Sequence, residues 1–143
     1  MDQDARRRLE DVLDREIAVA RDLAATLAAE RNALTGDSAL AVEQQAAAKL
    51  QILGNIEELE AQRRGLCASP DAPGLGATVA ERWRALMELM AGCRSANDVN
   101  GHIIHVRQHQ IRELIDIVRG GPAITYGPQG KTFAKALRAL ARA

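Results

Sequence analysis

At 143 residues the chain is sized for one domain with a modest core, and a formal net charge of zero gives no global field to recruit nucleic acid or a membrane surface. The balance hides a contrast: residues 120–143 carry Lys131, Lys135, Arg138 and Arg142 with no acid, about +4 against about −4 for the body. Trp83, Tyr126 and Phe133 are the only aromatics, and alanine, leucine, arginine and glutamate dominate, a composition of long helices.

The opening "MDQDARRRLEDVLDREIAV" has no apolar run of signal-peptide length, and no segment approaches the ~18–20 apolar residues of a membrane span. Cys67 and Cys93 lack CxxC spacing and are expected to be reduced thiols. A cytoplasmic protein without membrane insertion is expected.

The first predicted helix runs from Asp4 to Leu34. Leu13, Ala20, Leu27 and Leu34 recur every seven residues, with Leu9, Ile17 and Leu23 beside them. The charged residues between them read as a solvated face of low-value ion pairs. "TGDS" (Thr35–Ser38) breaks the pattern: Gly36 ends one helix and Asp37 or Ser38 caps the next. The second helix spans Ala39–Leu66, with Ile52, Ile56, Leu59 and Leu66 as its stripe and Leu50 and Leu53 widening it. "CASPDAPGLGA" (Cys67–Ala77) is a loop by its prolines and glycines. Its Gly74-x-Gly76 pair, with no strand before it, is not a dinucleotide fingerprint.

Thr78 and Glu81 have the spacing of a capping box and open a third helix. "CRSANDVNG" (Cys93–Gly101) looks like a break. Yet Trp83, Met90, Asn97, Ile104, Ile111 and Val118 are each seven apart, as are Leu86, Cys93, Asn100, Arg107 and Leu114. The phase survives the polar patch, so one helix is predicted over Val79–Arg119. Three long helices with short connections predict an all-α, coiled-coil-like antiparallel bundle over residues 1–119. Asn97 and Asn100 then form a polar seam that fixes register, or else cap a kink at Gly101. Gly120-Gly121-Pro122 ends the third helix. Residues 120–143 are read as a mobile basic tail: a tyrosine turn, then a short amphipathic helix from Lys131 with Phe133, Leu137 and Leu140 on one stripe.

"TYGPQGKT" (Thr125–Thr132) ends like a phosphate loop, but Thr125 stands where the first glycine of G-x-x-x-x-G-K-[ST] belongs. Thirteen residues follow Gly130, and no later strand is expected among them to bring an acid for Mg²⁺. His102, His105 and His109 share an arc with Glu113, which leaves a metal-binding helical bundle as the alternative reading. HExxH and paired ExxH motifs are absent. No catalytic residues and no cofactor are expected, since neither cysteine has a nearby histidine and no GxSxG occurs. Four cations without stacking aromatics do not make a nucleic-acid surface. Tyr126 and Phe133 lie where little core awaits them, as partner anchors or as rings folded back on the bundle.

Three stretches bear a likeness to a known family. They are the leading helical pair with "ERNAL" (Glu30–Leu34), Lys49 and "LEAQRRGL" (Leu59–Leu66), then "NDVNGHII" (Asn97–Ile104), then "TYGPQG" (Thr125–Gly130). In this order the chain resembles the FlgN-type flagellar export chaperones, with Gln129 where an acid is common. The resemblance implies a non-enzymatic chaperone of type III flagellar export. It implies binding of the C-terminal helix of hook–filament junction (hook-associated) proteins, prevention of their early association, and delivery to the cytoplasmic domain of the export gate. It places gate docking at the tyrosine element, here Tyr126, Gly127, Pro128 and Gly130. It places client binding in the C-terminal helical region, here the later third helix and the tail. On that helix Ile103, Ile104, Ile111, Leu114, Ile115 and Val118 make an apolar face wider than a seam needs, which is expected to receive the client with the tail helix as a movable cover. A generic coiled-coil adaptor with another client is the remaining alternative.

Overall fold

The structure is a computed structural model and describes residues 1–120. Helix α1 spans Gln3–Thr35, α2 Ala39–Leu66 and α3 Ala77–Val118. The expected breaks fall within two residues of their predicted places, because capping chemistry fixes them. Asp2 Oδ1 accepts the Ala5 N–H at 2.6 Å to start α1, and Ser38 Oγ accepts the Ala41 N–H at 3.1 Å to start α2. Gly120, at φ 92°, closes α3 in the left-handed conformation that glycine adopts freely.

The start of α3 differs from expectation. Gly76 is its N-cap, and no side chain caps it. Thr78 Oγ1 instead donates to Glu10 of α1 at 2.5 Å. One turn on, Arg82 pairs with Asp14 at 2.9 Å. Thr78, read as half of a local capping box, therefore ties α3 to α1 together with Arg82. Arg6 of α1 donates to the Gly74 carbonyl at 3.4 Å and secures the loop.

Helix α3 runs unbroken through Cys93–Gly101, as the surviving phase predicted. Pairing sets the directions. Glu16 meets Arg63 and Glu30 meets Lys49, so α1 and α2 are antiparallel. Glu10, Asp14 and Leu27 meet Thr78, Arg82 and Asn100 in turn, so α1 and α3 are parallel. Helix α1 is the hub: it packs along both partners, while α2 and α3 barely touch.

The core lies along the two faces of α1. One cluster joins Leu9, Leu13, Ile17 and Ala20 to Val79 and Leu86, with Trp83 against it. A second joins Leu23 and Leu27 to Cys93, with Ile52 and Ile56 against it. The α1 stripe is buried as predicted. The α2 stripe is thinner than predicted: Leu59 is buried, whereas Leu50 is 70% and Leu53 37% exposed. Of the two α3 series, Leu86, Cys93, Asn100 and Leu114 are buried, while Trp83, Met90, Ile104 and Ile111 are half-buried and Val118 is exposed.

Candidate functional site

Polar side chains at inward positions organise the bundle at two levels. At the first, Glu16 of α1 accepts two hydrogen bonds from Arg63 Nε, at 3.1 and 3.0 Å, and both side chains are buried. The Arg63 guanidinium also lies 4.7 Å from the centre of the Trp83 ring on α3, a cation–π contact. Burial raises the Glu16 carboxyl above its ordinary value, and Arg63's charge and hydrogen bond offset this only in part.

At the second level, Glu30 of α1 pairs with Lys49 of α2 at 2.9 Å. Glu30 also accepts from Asn100 Nδ2 at 2.9 Å. Asn100 is fully buried and donates as well to the Leu27 carbonyl, while its own oxygen accepts from Arg31. Lys49 reaches on to Asn97 Oδ1 at 3.2 Å. Four residues thus knot three helices. Asn100 is in the seam, as expected; Asn97 sits on its exposed edge and takes part through Lys49.

Sequence reasoning did not single out Glu16, Arg63 or Glu30 as buried. The signal was present: Leu9, Glu16, Leu23 and Glu30 are seven apart, and so are Lys49, Ile56 and Arg63. In an antiparallel pair these series meet as Glu16–Arg63, Leu23–Ile56 and Glu30–Lys49. The two acids are therefore internal, not members of the solvated face.

A third device runs along α3. Cys93 Sγ donates to the Ala20 carbonyl at 3.5 Å, Asn100 to Leu27, and Arg107 to Leu34. Donors seven apart meet acceptors seven apart. Arg107 also donates to the Gly36 carbonyl at 3.4 Å, supplying positive charge to an α1 end whose last turn has no basic residue.

Beyond Arg107, α3 continues for eleven residues, about 16 Å, past the end of α1. Ile111, Leu114, Ile115 and Val118 lie there, with Ile103 and Ile104 just before it. Leu114 is buried, Val118 is 67% exposed, and the four isoleucines are half-buried. Tyr126, Gly127, Pro128, Gly130 and the predicted tail helix lie outside the described residues.

His102, His105 and His109 are exposed on α3, and His109 Nε2 pairs with Glu113 at 3.1 Å. Among the described residues no group of three or more His, Cys, Asp and Glu side chains could hold a metal ion. No described helix is long and apolar enough to cross a membrane.

Fold and site define an all-α bundle in which α1 carries two flanking helices and buried charge is spent on register. A family model described as FlgN protein matches residues 1–133, which takes in Glu30, Lys49, Arg63, Asn97, Asn100 and Tyr126. The chain belongs to the FlgN family, a chaperone family of the bacterial flagellum. No curated protein and no solved structure matches it.

Proposed function

We propose that this protein is a cytoplasmic chaperone of type III flagellar export that binds the C-terminal helix of hook–filament junction proteins. The family match carries this reading, and the α3 segment running past α1 supports it. A segment that later polymerises exposes an apolar stripe beforehand. Ile103, Ile104, Ile111, Leu114, Ile115 and Val118 offer a helix face on which such a stripe can be held. Client helices held there cannot associate early. On this reading the sequence element Tyr126, Gly127, Pro128 and Gly130 is the handle for the cytoplasmic domain of the export gate, with the tyrosine ring as its anchor.

The Ile111→Asp/Ile115→Asp double variant tests the client face. Both side chains are half-buried and lie past the two apolar clusters, so circular dichroism should show an intact bundle. Co-purification of a junction protein should be lost. A folded double variant that retains its client at wild-type yield refutes the assignment.

A further inference from the structure

Helix α2 divides into two unequal halves. From Leu59 on it is anchored: Leu59 and Arg63 are buried, and Leu66 and Cys67 pack on the first cluster. No residue from 39 to 58 is buried, and Leu40, Leu50 and Leu53 are exposed. That stretch reaches the cluster of Leu23, Leu27 and Cys93 through the half-buried Ile52 and Ile56. A cavity of about 140 Å³ lies against it, lined by Leu53 of α2, Leu23 and Leu27 of α1, and Met90 and Cys93 of α3. Among the described residues, Lys49 makes its only polar bonds to other helices. They are 3.1 and 2.9 Å to the two Glu30 carboxylate oxygens and 3.2 Å to Asn97 Oδ1.

We propose that residues 39–54 form a gate over Leu27 and Cys93, latched by Lys49, that opens by local unwinding while the rest of the bundle stays packed. The two ends of the stretch decide how it moves. The short turn 36–38 ties one end to α1 and the anchored half ties the other, so it cannot swing out as a rod. Unwinding gives the slack, since an extended residue spans about 3.3 Å against about 1.5 Å in a helix. Isolated helices near this length are marginal in water, and here little packing adds to them. Gly54 marks the inner limit. A Cβ there would meet nothing within 4 Å, so packing does not call for glycine, and the residue weakens the helix interior. The two charged ties of α2 also differ in what they leave behind. When Lys49 withdraws, Glu30 keeps the Asn100 amide at 2.9 Å. When Arg63 withdraws, Glu16 keeps no hydrogen-bond donor among the described residues. The Lys49 end is therefore the one that opens. Lys49 is moreover the one lysine of residues 1–120, where arginine supplies the other permanently cationic side chains. Its compact ammonium serves three oxygens at once and releases them without the paired geometry of a guanidinium.

Cys93 reports the opening. In a full-length Cys67→Ser background it is the sole thiol. Its labelling by a chromogenic disulfide reagent is followed at urea concentrations below the unfolding midpoint. Labelling should be much slower than for a free thiol yet faster than global unfolding permits, with a urea slope that is a small fraction of the global one. Lys49→Met should speed it about five- to thirtyfold. Gly54→Ala should slow it about two- to fivefold. Val79→Ala, which thins the α1–α3 cluster outside the gate, should lower the urea midpoint and leave labelling unchanged. Labelling that shares the global slope, or that accelerates in Val79→Ala, would overturn the proposal, because Cys93 would then be reached only by unfolding the whole bundle. Free-thiol rates in the wild type, or a wild-type rate in Lys49→Met, would overturn it as well. Amide exchange is the check that needs no variant: residues 39–54 should exchange through the same low-slope opening, and protection there equal to that at Leu13 would defeat the gate.

Discussion

Glu16 holds a charge in a place that resists charge. Its carboxyl is raised above the ordinary value of 4.5 by burial first, and Arg63 opposes that shift without cancelling it. The folded chain therefore takes up this proton at a higher pH than the unfolded chain does. The resulting stability is fully present below the ordinary carboxylate range and is lost as pH rises through the raised value. Thermal melts across weakly acidic pH should show this contribution falling as pH increases, and Glu16→Gln should flatten the slope. An identical slope in wild type and variant would contradict the account. Asn100 makes a different demand. Its amide satisfies Glu30 and Leu27 at once in a site with no solvent. Asn100→Ala should cost about 1–3 kcal/mol, since Glu30 loses a buried donor. Urea unfolding should show a lower midpoint with an unchanged slope; an unshifted midpoint would mean that water replaces the amide at no cost.

Among the elements, α2 is the least anchored. Leu59 and Arg63 are its buried residues, and its two charged ties to α1 stand in for a thick apolar stripe. Helix α1 depends on others at its C-terminal end, where Arg107 of α3 caps carbonyls that have no partner in their own helix. Arg107→Ala should fray that turn at a cost of about 0.5–2 kcal/mol. Hydrogen exchange should speed up in residues 33–36 and stay unchanged near Leu9 and Leu13; uniform acceleration would instead indicate global destabilisation. Helix boundaries were legible in the sequence because Gly36, Ser38 and the two loops act locally. The continuity of α3 was legible because a seven-residue phase outlasts a polar stretch. The partition of faces was not. Periodicity says that a face is buried but not against which helix, so the near-absence of contact between α2 and α3 emerged only in three dimensions. Glu16 and Glu30 read as surface charges because their cations lie on another helix.

For the whole molecule, the family resemblance and the packing converge on the same residues. Glu30, Lys49 and Asn97–Asn100, far apart in sequence, meet in one knot, and Arg63 forms the other. The motifs legible in the first two-thirds of the chain thus describe how the bundle holds itself together. The candidate client face was legible as surplus apolarity on α3, and the structure adds that four of its six residues, Ile111, Leu114, Ile115 and Val118, lie past the end of α1. Tyr126 belongs to a separate task on the proposed reading. Tyr126→Ala should leave client co-purification intact and weaken capture by the export gate's cytoplasmic domain. Pull-downs against both partners check this, and equal loss of both would assign the ring to folding.

The ladder from Cys93, Asn100 and Arg107 to Ala20, Leu27 and Leu34 also has a mechanical meaning. Donors and acceptors repeat with the same stride, so a slip of one or two residues takes all three out of alignment together. The next position of agreement is a full heptad away, about 10 Å, and even there one donor is left without its carbonyl. The ladder is a detent. A tug on the far end of α3 is passed down the rod to its base, and α3 moves with α1 as one lever instead of creeping along it.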